Sequence, residues 1–209
     1  MRLLVSVRDA EEALAAVAGG ADIVDAKEPM LGPLAPVSPP ALQSICAAVP
    51  LSMPLSVALG DARPAELEEI VSGVAPLRCR SAIFFKAALV SGSAGDTAAA
   101  MLRATRRLAT RPDRPSFILA RYVDGPADAM DLGDWVDACA ASGAHGLLLD
   151  TSRKAGASLL ESVDVRSLAA LRRHATRRGI WLALAGGVTI DAMEALGRVR
   201  PHVVGVRGA

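Results

Sequence analysis

Short apolar runs recur every 20 to 35 positions, and each gives way to a polar turn and then to a stretch whose apolar residues return at helical spacing. Eight such runs predict eight strands: Leu3–Val7, Ile23–Ala26, Leu55–Leu59, Ala82–Phe85, Ser116–Tyr122, Gly146–Leu149, Trp181–Ala185 and Val203–Val206. The clearest helical pattern covers Asp9–Ala18, with acidic residues in its first turn and Gly19-Gly20 at its end. Negative charge suits the amino end of a helix dipole, and glycine suits its carboxyl cap. Further helical patterns cover about 38–48, 64–74, 96–110, 131–142, 164–178 and 190–198. Strands alternating with helices imply a parallel sheet, because each parallel crossover needs a connecting element. Eight repeats predict an α/β fold, a (β/α)8 TIM-type barrel. Nothing resembling a linker divides the chain, so residues 1–209 are expected to form a single domain, with the proline cluster Pro29–Pro40 in a long loop after the second strand. The sequence stops just after the eighth run, where a complete barrel adds another helix. Two expectations stay open: either the sequence given is incomplete, or the barrel lacks its last helix, which would leave an apolar groove between the first and seventh helices.

Composition narrows the function classes. No apolar run approaches the roughly 18 residues of a membrane span. The start, Met1–Val7, is too short for a signal peptide and runs into Asp9, Glu11 and Glu12, which points to a soluble, cytoplasmic protein without a membrane partner. Cys46, Cys79 and Cys139 lie far apart without metal-ligand spacing and read as reduced core thiols. A formal charge of +1 and 3% aromatic residues argue against nucleic acid as a partner. The basic residues are unevenly divided: of 23, only Lys27, Lys86 and Lys154 are lysines.

In such barrels chemistry sits at the carboxyl ends of the strands. The second strand ends in Asp25-Ala26-Lys27, the fourth in Phe84-Phe85-Lys86, and the sixth in Leu149-Asp150-Thr151, with Lys154 four residues after the aspartate. All three lysines thus fall at one end, which by chance would happen on the order of one time in sixty if that end holds about a quarter of the residues. Lysine, unlike arginine, has an amine that can lose its proton and attack a carbonyl to form a Schiff base. Neighbouring cations and partial desolvation favour that neutral amine. Asp25, two residues before Lys27 on the same strand face, is expected to orient that amine or carry protons, and Asp150 to serve Lys154 in the same way. His145 and His202 precede their strands, on the opposite end, and His174 lies among arginines on a helix. No His or Cys residues converge, so no metal site and no cofactor are expected. Gly186-Gly187 and Arg207-Gly208 follow the last two strands, where barrels of this type commonly bind phosphate through backbone N–H groups. Asp61, Tyr122 and Asp124 complete the rim of the expected substrate site. The partner implied is a small phosphorylated aldehyde. A barrel edge without its helix also invites a homo-oligomer.

These motifs together resemble a specific family, the (5-formylfuran-3-yl)methyl phosphate synthases, or 4-HFC-P synthases, which supply the furan precursor of methanofuran and methylofuran cofactors. The resemblance spans the whole chain. It rests on Leu4-Val5-Ser6 and Glu12-Ala13-Leu14, on Gly20–Asp25 running into Lys27 and Pro29, and on Gly60-Asp61, Lys86 and Tyr122-Val123-Asp124. It continues with Asp150-Thr151, Lys154, Gly156 and Leu159, then Leu184–Gly187 and Val204–Ala209. The resemblance implies a class I aldolase-like lyase that condenses two molecules of glyceraldehyde 3-phosphate, losing phosphate and water to form the furan. Lys27 matches the family's Schiff-base lysine and Lys86 the lysine assigned as proton acceptor, while Asp25, Asp150 and Lys154 match other active-site positions. Ala35 and Ala88 stand where the family's pattern leads one to expect glycine. Two further readings stay open on the residues alone: another triose- or pentose-phosphate aldolase or epimerase, and a phosphometabolite-binding protein without catalysis.

Overall fold

The computed structural model describes residues 1–61, 63–73, 83–88, 96, 99–100, 103, 116–124, 131–153 and 156–207. Eight parallel strands close into a barrel in sequence order: β1 (Arg2–Val7), β2 (Ile23–Ala26), β3 (Leu55–Ala58), β4 (Ile83–Ala88), β5 (Ser116–Tyr122), β6 (Gly146–Asp150), β7 (Trp181–Leu184) and β8 (Val203–Arg207). The described helices around it are α1 (Ala10–Ala18), α2 (Pro39–Ala48), α3 (Pro64–Gly73), α4 (Leu132–Ala141), α5 (Leu159–Ser162), α6 (Val165–Arg177) and α7 (Ala192–Val199). Each predicted strand is present. β4 runs three residues further than its apolar run, so Lys86 lies within the strand. The short α5 was not predicted. It is started by a reciprocal capping box between Ser158 and Glu161, and Leu159 N–H ties it to Gly186 O at 2.9 Å. Most of the helix expected at 96–110 lies outside the described residues, although Asp96, Ala99, Ala100 and Arg103 are helical. Among the described residues, no helix is long and apolar enough to cross a membrane. Cys139 is a buried free thiol and Cys46 is half-buried on α2, while Cys79 lies outside the described residues.

Helix starts follow local side-chain chemistry. Asp9, Ser38 and Asp164 each accept a backbone N–H from the first turn of the helix they precede. The helices then press apolar faces onto outward strand residues, as when Leu42 and Ile45 of α2 join Val24, Leu55 and Val57 in the main core. Burying such side chains contributes about 1.5–3 kcal/mol each.

The barrel interior is built differently. Alternate strands share layers in an eight-strand barrel, and the parallel register carries Ser6, Ala58, Ala120 and Ala185 to one level. Small side chains at this level leave room where many barrels are filled by branched residues. A cavity of about 790 Å³ results, opening at the carboxyl ends of the strands and reaching down to Phe84 and Trp181. The amino end is closed by stacked groups: Trp181 lies against Phe84 and His202, with the Arg2 guanidinium 5.1 Å from its ring centroid. There His145 and His202 accept the backbone N–H groups of Phe117 and Leu182 through Nδ1.

Candidate active site

The charged side chains that point into the barrel at this end belong to even-numbered strands and lie at two depths. Asp25 of β2 and Lys86 of β4 occupy the deeper layer, with Leu148 and Gly205 completing it. Lys27, Asp150 and Arg207 occupy the layer above, at the ends of β2, β6 and β8, with Ala88 of β4 as its fourth member. Lys27 continues the β2 ladder through its N–H to Val7 O at 3.0 Å. The loop that follows is tied at its neck by Glu28 N–H to Ala35 O at 2.8 Å, and Leu34 is buried in the barrel mouth against the alanines of β3, β4 and β5. The nucleophile candidate is therefore carried on a pinned backbone. Neither Ala35 nor Ala88 has a positive φ, so alanine fits both positions where the family pattern suggested glycine.

The pairing of Asp25 differs from the sequence expectation. Asp25 was expected to serve Lys27, but it meets Lys86, whose Nζ donates to Oδ2 at 2.7 Å. Asp150 faces Lys27, Nζ to Oδ2 3.8 Å, and its expected partner Lys154 is not among the described residues. The physical reason is the layering: Lys27 stands one level above Asp25, and the opposite strand β6 ends at that upper level. Lys154 lies outside the described residues, as does Gly208.

The electrostatic consequences are distinct for each group. Burial pushes the Lys27 amine below its ordinary value; Asp150 pulls it back up, while Lys86 adds to the lowering. Burial pushes the Asp150 carboxyl up, and this outweighs the opposing pull of Lys27 and of the Thr151 N–H that Oδ1 accepts at 2.8 Å. Burial also acts to raise Asp25, but the Lys86 and Lys27 cations and the hydrogen bonds it receives hold it below the usual carboxylate range. Two residues to which the sequence reading gave no place in the site contribute. Ser6 Oγ donates to Asp25 Oδ2 at 2.9 Å, and Ser56 stands opposite Asp25 in the β2–β3 register. Both are polar at inward positions of otherwise apolar strands, which is the signal that could have found them.

The remaining predicted residues divide. Lys27, Lys86, Asp150, Gly186, Gly187 and Arg207 line the cavity. Gly186 and Gly187 have φ of 99° and 60°, and a Cβ on Gly186 would lie 2.7 Å from Thr151 N, so glycine there is required by the backbone itself. Tyr122 OH donates to Asp61 Oδ1 at 2.6 Å; burial and that carboxylate push the phenol up, keeping it a neutral donor. Asp124 accepts Ser152 and Arg153 N–H groups at 2.6 and 2.9 Å. Its carboxylate thereby holds the loop after β6. The three histidines stand away from the lysines, with His174 Nε2 against Asp137 of α4 at 2.6 Å. Among the described residues no group of His, Cys, Asp and Glu is arranged to hold a metal.

The fold and site define an eight-stranded α/β barrel with two lysine–carboxylate pairs at the carboxyl end of its strands. A family model described as 4-HFC-P synthase matches residues 3–209, and the chain belongs to that family. A (5-formylfuran-3-yl)methyl phosphate synthase from Methanothermobacter thermautotrophicus is 31% identical over 220 residues, covering 100% of this chain and 89% of the relative. Among solved structures, phosphoribosyl anthranilate isomerase from Thermus thermophilus is similar with a TM-score of 0.62 at 21% identity, covering 99% of this chain and 87% of that one. A 3-hexulose-6-phosphate synthase is similar with a TM-score of 0.60 at 17% identity, covering 100% and 91%. These structural likenesses concern the barrel alone.

Proposed function

We propose that the protein condenses two molecules of glyceraldehyde 3-phosphate to (5-formylfuran-3-yl)methyl phosphate through a Schiff base on Lys27. The observation that carries this reading is a partly buried lysine of lowered basicity, 3.8 Å from a carboxyl group of raised pKa, in a cavity also lined by Lys86, which pairs with Asp25. Atom balance requires loss of one phosphate and two waters with no net oxidation, so the protein need supply only an amine, proton carriers and anion contacts.

Lys27, with its amine partly neutral, adds to the carbonyl of one triose phosphate. Asp150, able to carry a proton because burial raises it, protonates the departing hydroxyl as the imine forms. The iminium acidifies the adjacent C–H, and loss of that proton drives phosphate elimination and carbon–carbon bond formation. Lys86 begins paired with Asp25 and can protonate an oxygen, after which its neutral amine serves as the acceptor the family resemblance implies. Arg207 and the backbone around Gly186-Gly187 hold phosphate at the rim, where their cavity-lining position suits a ligand that enters from solvent. Lys154 stabilises anionic species in the same reading.

Incubation with glyceraldehyde 3-phosphate and borohydride, followed by intact-protein mass spectrometry, tests it. Wild type should gain a reduced adduct that Lys27→Ala lacks, and turnover should release the furan aldehyde. An adduct without furan would redirect the reading to another aldolase. Absence of an adduct under turnover conditions would overturn the imine mechanism.

A further inference from the structure

Asp25 is fully buried, and its two oxygens are treated differently. Oδ2 receives Lys86 Nζ at 2.7 Å and Ser6 Oγ at 2.9 Å. Oδ1 makes no regular hydrogen bond to any described residue, and neither does the hydroxyl of Ser56, directly across the strand register. Ser6 and Ser56 line the floor of the cavity and are 8% and 1% exposed, and both Asp25 Oδ1 and the Ser56 hydroxyl oxygen are themselves shielded from solvent. A buried carboxylate is stable as an anion only with donors on its oxygens. The Ser56 hydroxyl turns about its Cβ–Oγ bond, lies beside the carboxylate and already helps hold it ionised.

We propose that Ser6 and Ser56 are positioning residues that clamp one Asp25 oxygen each, keep the proton of the Asp25–Lys86 pair on Lys86, and so maintain a cation beside Lys27. The catalytic meaning rests on Lys27 being the imine-forming amine. Lys27 is faced by Asp150 on β6, Lys86 on β4, Asp25 on β2 and Arg207 on β8. The Lys86 ammonium lowers Lys27 more than the Asp25 carboxylate raises it. Without the serines, the N–H bond on Lys86 breaks, an O–H bond forms on Asp25, and both charges vanish together. Lys27 then becomes more basic, and less of it is neutral near pH 7.

Competitive acetylation with acetic anhydride across pH, read on the Lys27 peptide by mass spectrometry, measures this without any substrate. The Ser6→Ala/Ser56→Ala double variant should shift the Lys27 midpoint upward by about one pH unit, and each single variant by less. Ser56→Thr, which keeps the hydroxyl, should return the midpoint toward wild type. Ser56→Ala removes the donor assigned to Oδ1, so its Tm should fall whatever the role of the serine. The midpoint separates the two roles, because a merely structural serine would lower Tm and leave the midpoint in place. An unmoved midpoint in the double variant, or in Ser56→Ala should the double variant not fold, overturns the proposal. Lack of a borohydride adduct in wild type would count against the imine reading alone, because acetylation reports Lys27 protonation in either case.

Discussion

The two ends of the barrel are made by the same eight strands and treat polar groups in opposite ways. At the amino end, His145 and His202 each accept a neighbouring backbone N–H through Nδ1, and Arg2 covers the Trp181 ring. At the carboxyl end, Lys27 and Asp150 stand 3.8 Å apart, beyond hydrogen-bond distance, each shifted toward its neutral form. The first arrangement yields stability and leaves nothing to react. The second leaves an amine and a carboxyl group whose unmet bonding a carbonyl substrate can complete, at a cost in folding free energy that functional sites commonly carry.

The largest effect that tests this contrast comes from Lys27→Met. Removing the amine should abolish adduct and product formation, while Tm stays within a few degrees of wild type or rises, because a partly desolvated amine is exchanged for an apolar side chain. A large fall in Tm would show that Lys27 is as structural as the groups at the other end. Asp150→Asn comes next and should slow product formation by about 10²–10⁴-fold, the usual contribution of a positioned acid–base group. Since Asp150 raises the Lys27 pKa, its neutral replacement should also move the Lys27 acetylation midpoint to lower pH. A normal rate with that shifted midpoint would assign Asp150 an electrostatic role only.

Much of the contrast was legible before the structure. The strands stood out because elements covered on both faces are apolar at nearly every position, and the lysines stood out by rarity and by their place after those runs. Which carboxylate each lysine meets was not legible. Asp25 and Lys27 share a strand face, yet pairing depends on the level that each side chain reaches and on what the facing strands place there. Ser6 and Ser56 required knowing which alternate positions point inward. The four-residue α5 is too short for periodicity to show, although its Ser158 and Glu161 box was present in the sequence. Tyr122 and Asp61 were both read as rim residues, but their bond joins the ends of strands two apart and follows only from closure of the barrel.

At the amino end, Trp181→Ala should lower stability by about 3 kcal/mol, near the low end for loss of a large aromatic side chain because Trp181 is only partly buried. Chemical denaturation measures it. Lys27 should still form its borohydride adduct at temperatures where the variant is folded. Loss of the adduct from a folded variant would show that the floor of the cavity takes part in the chemistry and would break the division between the ends.

The smallest effect is a pH dependence located at the same end. Burial holds both His145 and His202 below their ordinary value, with Arg172 adding to the effect at His202. An unfolded chain therefore binds protons at these histidines at pH values where the folded chain does not, and stability falls as pH drops from about 6.5 through the lowered folded values. Above that window the histidines contribute no pH slope. Both side chains are partly exposed, so solvent screening limits the effect to a few degrees of Tm. His145→Asn/His202→Asn keeps an acceptor near each Nδ1 position but removes the titration. Its Tm should thus fall less between pH 7.5 and 5.5 than that of wild type, with the adduct at Lys27 unchanged. Equal acid slopes in the two proteins would place the titrating groups elsewhere and remove the histidines from the stabilising role assigned to this end.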